Sequence, residues 1–215
     1  CGQDGDMALA VNDMAICDRI SPAYLQSNRP RLNTAQVVVV DTNLPAESLE
    51  YLCGHCTAPI FADPVSTIKG AKLRPLLGKL HTLKPNRLEA ELLSRVEIKD
   101  EASLCQAAKT LLATGLHRVF ISLGSHGVLA ADHRRMLLLP PSKAVMRNAT
   151  GAGDAYMASL AWAYLEGMDL TQTAACAACA AAIAIESTQT INPRLSSDAV
   201  RARMADYDIN LVKEI

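Results

Sequence analysis

The 215-residue sequence is short of aromatic side chains and has no excess of charge of either sign. Only 4% of its residues are aromatic, and 21 basic residues against 22 acidic ones leave a formal net charge of −1 at pH 7. A near-neutral chain without a run of Lys or Arg has no electrostatic basis for binding nucleic acid or a membrane surface. The expected partner is therefore a small molecule.

Long hydrophobic runs and targeting signals are also missing. The longest apolar candidate, residues 174–185, is Ala-rich and shorter than the roughly 18 residues of a membrane helix. Residues 1–6 have neither the basic region nor the apolar core of a signal peptide. These absences predict a cytoplasmic chain.

An initial Met is absent as well, since the sequence opens with Cys1 in what looks like a turn between two strands. We therefore expect that the sequence starts inside a longer reading frame. Half of the residues are apolar, which is enough to fill one domain. Residues 1–215 are predicted to form a single α/β domain that is truncated at its N-terminus.

Seven cysteines leave two interpretations open. The pairs Cys53/Cys56 and Cys176/Cys179 could together form a four-thiolate zinc site, and the first pair also spells a dithiol redox motif. However, Cys53 ends a helical pattern, whereas a redox pair belongs at a helix start. The other pair lies one turn apart in an Ala-rich helix, so buried or incidental thiols are the favoured interpretation.

Apolar stretches with strand patterns alternate with helical patterns along the chain. Val37–Val40 is a continuous β-branched run, which is typical of a strand buried on both faces of a parallel sheet. The alternation predicts a mostly parallel sheet with helices on both faces. The predicted strands are 7–11, 37–40, 59–62, 81–83, 118–122, 128–131 and 136–139; the predicted helices start at Ser21-Pro22 and cover 45–52, 87–94, 100–114, 151–166, 170–185 and 196–205.

Two glycines, Gly151 and Gly153, open the helix predicted at 151–166, and Asp154 follows them. Unpaired backbone N–H groups and the positive end of the helix dipole make such a helix start a natural phosphate site. Asp154 could simply stabilise the first helical turn. It could instead accept a proton from a hydroxyl that attacks a bound phosphoryl group.

Neither of two common glycine motifs fits this stretch. A dinucleotide fingerprint needs a small residue where Tyr156 stands, and the preceding segment 144–147 is a short strand at best. A P-loop needs Gly-Lys-Ser/Thr after four spacer residues, and that sequence occurs nowhere in the chain.

Polar residues follow the predicted strands at the ends where ligands gather in parallel sheets, among them Asp41, Asn43 and Asp63. Asn86 and Glu89 have the spacing of a helix capping box. The same spacing could let Glu89 hold Mg²⁺ through water while Asn86 binds a phosphate oxygen. Lys84, just before them, is either a phosphate contact or a solvated lysine, and the loop Ser122–Gly127 could be an ordinary tight turn.

Thr150-Gly151-Ala152-Gly153-Asp154, opening a long Ala-rich helix, resembles the second signature of the ribokinase-like, or PfkB, carbohydrate and nucleoside kinases. The resemblance implies a ribokinase-like fold and phosphoryl transfer from ATP with Mg²⁺. It implies that Asp154 is the catalytic base and that the amides of Gly151, Ala152 and Gly153 stabilise charge on the transferred group.

The same resemblance assigns nucleotide and metal roles to other positions. It implies that Glu89 binds the metal, and that the nucleotide is bound by Asn86, Ser122, Gly124, Gly127 and Thr150. In some relatives a monovalent cation such as K⁺ binds at the place of residues 188–192.

Several stretches, including Asp63-Pro64-Val65-Ser66, the run 81–91 and Asn148, resemble the family members that phosphorylate a C-nucleoside. The expected reaction is phosphorylation of a nucleoside 5′-hydroxyl, with Asn12 and Asn43 as candidate substrate contacts. Residues 1–13 are expected to be a remnant of the family's lid over the sugar. Three alternatives stay open: another sugar or nucleoside as substrate, a non-catalytic nucleotide-binding module, and a homodimer formed through an open sheet edge.

Overall fold

The computed structural model describes residues 13–215, so Asn12 and the strand expected at 7–11 lie outside the described residues. No helix among residues 13–215 is long and apolar enough to cross a membrane. The chain divides into two compact units. The sheet unit comprises Met14–Leu123 and Leu129–Met136, and the helical unit comprises Gly124–Val128 and Leu137–Glu214.

Parallel strands form the sheet unit, as the alternation of strands and helices predicts. β1 (Val38–Asp41), β2 (Ile60–Asp63), β3 (Thr82–Leu83) and β4 (Arg118–Ser122) pair in parallel in that order, and β5 (Val128–Asp132) follows β4. The helices of this unit are α1 (Pro22–Ser27), α2 (Arg29–Leu32), α3 (Ala46–His55), α4 (Thr67–Gly70), α5 (Arg87–Ser94) and α6 (Glu101–Leu112), with 3-10 helices at Ala15–Arg19 and Ala71–Lys79. The predicted α/β class is confirmed.

Apolar side chains from the strands and from the helices fill the core of the sheet unit. Phe61, Leu83 and Phe120, from three neighbouring strands, are at most 2% exposed. Leu49 and Leu111 reach the same low exposure from α3 and α6. Each strand ends where this apolar sequence gives way to polar residues, and this places the polar residues together at the carboxyl edge of the sheet.

The burial predicted for the valine run is wrong. Val40 is 7% exposed, but Val39 is 50% exposed. Successive side chains of a strand point to opposite faces, and within residues 13–215 β1 has one neighbouring strand, β2. The β-branched run therefore predicted the strand correctly, but it did not predict which side chains on its two faces are buried.

The helical unit contains β6 (Met136–Leu139), α7 (Ala152–Leu165), α8 (Leu170–Ile185), α9 (Ser197–Ala205) and β7 (Lys213–Glu214), with 3-10 helices at Gly124–His126 and Ile209–Leu211. β7 pairs antiparallel with β6, with Leu137 opposite Glu214. Its two charged residues carry no apolar strand pattern, and β7 was therefore not predicted. Residues 144–147 form no strand.

Small residues let α7 and α8 pack closely. Ala163 on α7 and Cys176, Cys179 and Ala180 on α8 are fully buried in one cluster, which Val200 of α9 completes. Burial raises the pKa of the Cys176 thiol to about 12, and burial also raises the pKa of Cys179. These two cysteines are buried packing residues, as favoured above, and their thiols stay protonated at neutral pH.

Two leucines on α7 offer a matched test of this packing. Leu160 is 0% exposed, whereas Leu165 at the helix end is 48% exposed. We expect Leu160→Ala to lower the free energy of unfolding by about 2–5 kcal/mol, because it leaves a cavity. Leu165→Ala should lower it by less than about 1 kcal/mol. Denaturant unfolding measures both, and equal losses would contradict the packing described for α7.

Candidate active site

A buried ion pair lies at the carboxyl ends of β2 and β3. Lys84 Nζ is 2.9 Å from Asp63 Oδ2, and the two side chains are only 10% and 18% exposed. The other Asp63 oxygen accepts a hydrogen bond from the Val65 amide at 3.0 Å. Lys84 is therefore not a solvated lysine, and its other predicted role, a phosphate contact, stays a prediction.

Asn86 and Glu89 form the capping box that begins α5. The Asn86 side chain accepts a hydrogen bond from the Glu89 amide at 2.9 Å, and Glu89 Oε2 accepts one from the Asn86 amide at 2.8 Å. The predicted structural role of this pair is confirmed. The box also orients both side chains at the edge of the sheet. A role of Asn86 and Glu89 in binding a ligand is compatible with the capping box.

The Glu89 carboxyl group is 3% exposed, which is unusual for a carboxylate. Burial raises its pKa, the hydrogen bond from the Asn86 backbone lowers it, the nearby Asp63 raises it and Lys84 lowers it. A carboxylate destabilised by burial gains from a nearby cation. In residues 13–215 no three acidic, His or Cys side chains converge as metal ligands. The metal role of Glu89 stays a prediction; a Mg²⁺ ion held by one carboxylate would keep most of its waters.

Ser122 lies beside this capping box because β3 and β4 continue in parallel to their ends. Ser122 and Asn86 are opposite each other in a parallel bridge, and the Ser122 amide donates to the Pro85 carbonyl at 2.9 Å. The structure therefore brings together two of the residues that the resemblance assigned to nucleotide binding. Their proximity follows from strand register, which residue spacing along the chain does not reveal.

Asn43 is held by its neighbours after β1. Its side-chain amide donates to Asp41 Oδ2 at 2.8 Å, and its carbonyl oxygen accepts from Lys69 Nζ at 2.6 Å. Asn43 remains a candidate substrate contact, but its hydrogen-bonding groups already have partners. Lys69 was not anticipated, because it is brought to Asn43 from a separate loop and helix.

In the helical unit, α7 begins where the glycine motif predicted. Gly151 is the N-cap, its backbone is left-handed with φ +87°, and no side chain caps the helix. A Cβ atom at this position would lie 2.3 Å from the Thr190 carbonyl oxygen, so only Gly fits. The first amides of α7 keep no intrahelical acceptor, and exposed Asp154 lies in that first turn.

The segment before the glycines is bound to the chain after α8. The amides of Arg147 and Asn148 both donate to the Ile185 carbonyl, at 2.7 and 3.2 Å. The Asn148 side chain accepts from the Thr150 amide at 3.0 Å and donates to the Thr188 carbonyl at 3.3 Å. These bonds connect the start of α7 to residues 188–192, the stretch expected to bind a monovalent cation in some relatives.

Two other glycines shape the loop that resembles a nucleotide loop. Gly124 and Gly127 have φ values of +59° and +90°, and a Cβ atom on Gly127 would lie 1.9 Å from the Leu139 carbonyl oxygen. His126 between them is exposed. Gly127 is therefore required by its positive φ and by the close approach of Leu139, whereas at Gly124, where an added Cβ would meet no atom within 4 Å, only the positive φ favours Gly.

Known proteins share this fold and these motifs. Residues 2–197 match the model of the pfkB family carbohydrate kinases. The chain belongs to this family. Kinases of the family are phosphotransferases with an alcohol group as acceptor, and the ribokinase-like fold that the sequence predicted is confirmed.

Three relatives show how far the similarity extends. The chain is 37% identical over 194 residues to pseudouridine kinase of Escherichia coli (strain K12), covering 89% of this chain and 62% of that protein. It is 34% identical to the uncharacterized sugar kinase YeiI of the same organism, covering 91% and 55%. A carbohydrate kinase from Agrobacterium tumefaciens superposes with a TM-score of 0.80 at 26% identity, covering 99% and 68%. The chain thus spans less than two thirds of these two curated relatives.

The burial of Glu89 predicts a pH dependence of stability. Its pKa in the folded chain is raised above the ordinary 4.5, so the contribution of this group is fully present below pH 4.5 and is lost as the pH rises through the raised value. Glu89→Gln stays neutral and can still complete the capping box, so it should lack this decline. Unfolding measured between pH 4 and pH 7 tests this.

Exposed Glu97, whose side chain is 71% exposed beside Lys99, provides the control. Glu97→Gln should keep the pH dependence of the original chain. If Glu89→Gln kept it as well, the Glu89 carboxyl group would not be destabilised by its surroundings.

The contact at Gly151 predicts a large cost for adding one methyl group. Gly151→Ala should destabilise the helical unit by about 1–2 kcal/mol for the left-handed backbone and by about 1–3 kcal/mol more for the clash with Thr190. Gly167→Ala is the matched control, because Gly167 has φ +70° but no atom within 4 Å of an added Cβ. Thermal unfolding of both variants measures the two losses of stability. Equal losses would show that the Thr190 contact adds nothing to the cost at Gly151.

Proposed function

We propose that the protein containing this chain is an ATP-dependent kinase that phosphorylates the 5′-hydroxyl of a nucleoside, most specifically pseudouridine. The observation that carries the proposal is the position of Asp154 in the first turn of a helix that no side chain caps and whose N-cap admits only Gly. This arrangement combines an anion site with a base one residue beyond it. Family membership supplies the reaction class.

In the proposed reaction the substrate oxygen forms a bond to the γ-phosphorus of ATP. The bond from that phosphorus to the bridging oxygen breaks, ADP leaves with the electron pair, and the hydroxyl proton passes to the Asp154 carboxylate. The amides of Gly151, Ala152 and Gly153 stabilise negative charge on the transferred group. Thr150, whose amide is held by Asn148, precedes them in the anion site.

Nucleotide and metal binding are assigned to the residues described at the edge of the sheet unit and to the glycine loop. Glu89 would hold a Mg²⁺ ion through water, and the chemistry supplied there would be neutralisation of charge on the ATP phosphates. Asn86 and Ser122 bind phosphate oxygens, while the backbone of Gly124 and Gly127 lies against the nucleotide. Asn192, 6% exposed and hydrogen-bonded to the Ile183 carbonyl, orders the segment proposed for K⁺.

The assignment of pseudouridine as the substrate rests on the similarity to pseudouridine kinase at 37% identity, together with Asn148 and the Asp63–Ser66 stretch. Asn43 and Asn12 are proposed substrate contacts. A different sugar or nucleoside is the second candidate, because the similarity to a sugar kinase without a known substrate, at 34% identity, is almost as high.

A binding module is the third candidate. The chain spans 62% of the length of pseudouridine kinase, and half-exposed Val39 lies on β1, which ends the sheet as far as the described strands show. An open edge of this kind could pair with a second chain to form a homodimer. Sedimentation of the chain distinguishes a dimer from a monomer.

Asp154→Asn should reduce kcat of the complete protein by about 10²–10⁴-fold, because the hydroxyl loses its proton acceptor. ATP affinity should stay within about threefold, since the amides of α7 are unchanged. Asp198→Asn is a matched control, because Asp198 is also an acidic residue in the first turn of an exposed helix, α9. Near-normal turnover of Asp154→Asn would overturn the role assigned to Asp154.

The substrate assignment is tested by phosphoryl transfer from Mg-ATP to pseudouridine, uridine and ribose, with the complete protein and with the 215-residue chain in parallel. We expect a kcat/KM for pseudouridine at least about tenfold above that for uridine, which corresponds to about 1.4 kcal/mol of discrimination. Preference for ribose would favour the second candidate. ATP binding without transfer to any acceptor would favour the binding module.

A further inference from the structure

Lys69 and Asn43 meet in the sheet unit, just beyond the carboxyl end of β1. Lys69 Nζ donates a hydrogen bond to Asn43 Oδ1 at 2.6 Å, and Asn43 Nδ2 donates one to Asp41 Oδ2 at 2.8 Å. The backbone amide of Asn43 donates to the other oxygen of Asp41, also at 2.8 Å. All three side chains are half-buried. The Asn43 side chain is therefore held from both ends of its amide group.

The chemistry of its two neighbours fixes the orientation of this amide group. A lysine ammonium group can only donate hydrogen bonds, and an ionised carboxylate can only accept them. Asn43 must therefore turn its carbonyl oxygen to Lys69 and its NH₂ group to Asp41, because the reverse orientation would place donor against donor and acceptor against acceptor. The NH₂ group has two hydrogens, and within residues 13–215 only one of them has an acceptor. One donor of Asn43 is left for a ligand.

Lys69 is a cation that bonds a neutral group. In the described part of the chain no carboxylate lies within 4 Å of its Nζ atom, and Asn43 provides the one side-chain acceptor that it contacts. Lys72, in contrast, bonds two backbone carbonyls of the same turn, those of Thr42 and Leu44, at 3.0 and 2.9 Å. Lys72 thus holds the backbone, whereas the contact of Lys69 acts on the orientation of the Asn43 side chain.

A strained turn brings Lys69 to this position. Val65 has a left-handed backbone with φ +60°, which is rare for a β-branched residue. Its amide donates to Asp63 Oδ1 at 3.0 Å, and the Ser66 amide donates to the Pro64 carbonyl at 2.6 Å. Ser66 then caps α4 by accepting a hydrogen bond from the Lys69 amide at 3.3 Å. Strain of this kind persists only where the surroundings enforce it, and it is concentrated at functional sites.

The contact between Lys69 and Asn43 lies beside the other candidate ligand groups of the sheet unit. Asp41 is opposite Asp63 in the register of β1 and β2, and Asp63 pairs with Lys84. Asn43 is therefore one strand away from that ion pair, at the edge where ligands bind in parallel sheets. The unused hydrogen of Asn43 lies at the edge to which the substrate is assigned.

We propose that Lys69 is a positioning residue that determines substrate specificity: it occupies the Asn43 carbonyl oxygen, so that Asn43 donates its remaining hydrogen to an acceptor oxygen of the nucleoside. The inference rests on the proposed nucleoside kinase activity and adds to it the polarity of one substrate contact. The acceptor oxygen belongs to a base carbonyl or to a sugar hydroxyl, which both carry lone pairs. Without Lys69 the Asn43 carbonyl is open to other donors, and the contact loses its fixed polarity.

The test compares Lys69→Met, Asn43→Ala and the double variant in the complete protein, with phosphoryl transfer from Mg-ATP to pseudouridine as the measurement. Met keeps most of the apolar stem of Lys69 and removes its donor. We expect Lys69→Met to raise the KM for pseudouridine about tenfold, the effect of one hydrogen bond to a charged group. Both kcat and the KM for ATP should stay within about threefold. Lys79→Met, at an exposed lysine of the same unit, is the control and should change neither constant.

A double-mutant cycle separates positioning from a general loss of structure. If Lys69 acts through Asn43, Lys69→Met should raise the KM of the Asn43→Ala variant by less than about twofold, whereas independent effects would multiply. Ribose, as substrate or competitive inhibitor, identifies the acceptor: an unchanged constant for ribose indicates a base carbonyl, and an equal loss indicates a sugar hydroxyl.

Three results would overturn the inference while the proposed function stands. They are an unchanged KM for pseudouridine in Lys69→Met, a loss in kcat alone, and effects of Lys69→Met and Asn43→Ala that multiply. A complete protein that phosphorylates no nucleoside before any substitution would instead overturn the proposed function, and this inference with it.

Discussion

The contact between Gly151 and the Thr190 carbonyl determines where the glycine-rich motif can function. The backbone of Gly151 lies so close to that oxygen that a single methyl group would be 2.3 Å from it. The contact joins the start of α7 to the chain after α8, and the hydrogen bonds from Arg147 and Asn148 to Ile185 strengthen the same connection. The start of α7, including Asp154, is thereby tied to the chain around Ile185 and Thr190, and fixed geometry of this kind is what the proposed anion site would need.

At the edge of the sheet unit one set of bonds has both a structural and a chemical consequence. The capping box of Asn86 and Glu89 begins α5, and it also buries the Glu89 carboxyl group beside the Lys84–Asp63 ion pair. Structural and functional interpretations of the Asn-x-x-Glu spacing are therefore not alternatives. The cap that stabilises the helix also holds the carboxyl group where burial disfavours its charged form.

Sequence reasoning succeeded where local chemistry decides the outcome. The boundaries of α5 and α8 are those predicted, because Asn86 and Asp169 are strong caps and the helices continue in good helix formers. It failed where burial depends on distant chain segments. Val39 belongs to an apolar run but is half exposed, and Lys84 appeared free to be solvated but is buried against Asp63.

By itself the sequence determined the alternation of strands and helices, the glycine-initiated helix with its acidic first turn, and the family, because these depend on residues close together in the chain. Only the tertiary structure decided that Ser122 lies opposite Asn86, that Lys69 reaches Asn43, and that histidines from separate loops stack at the amino ends of the strands. The reason is physical: strand register and packing bring together residues that are tens of positions apart, and no local pattern encodes those distances.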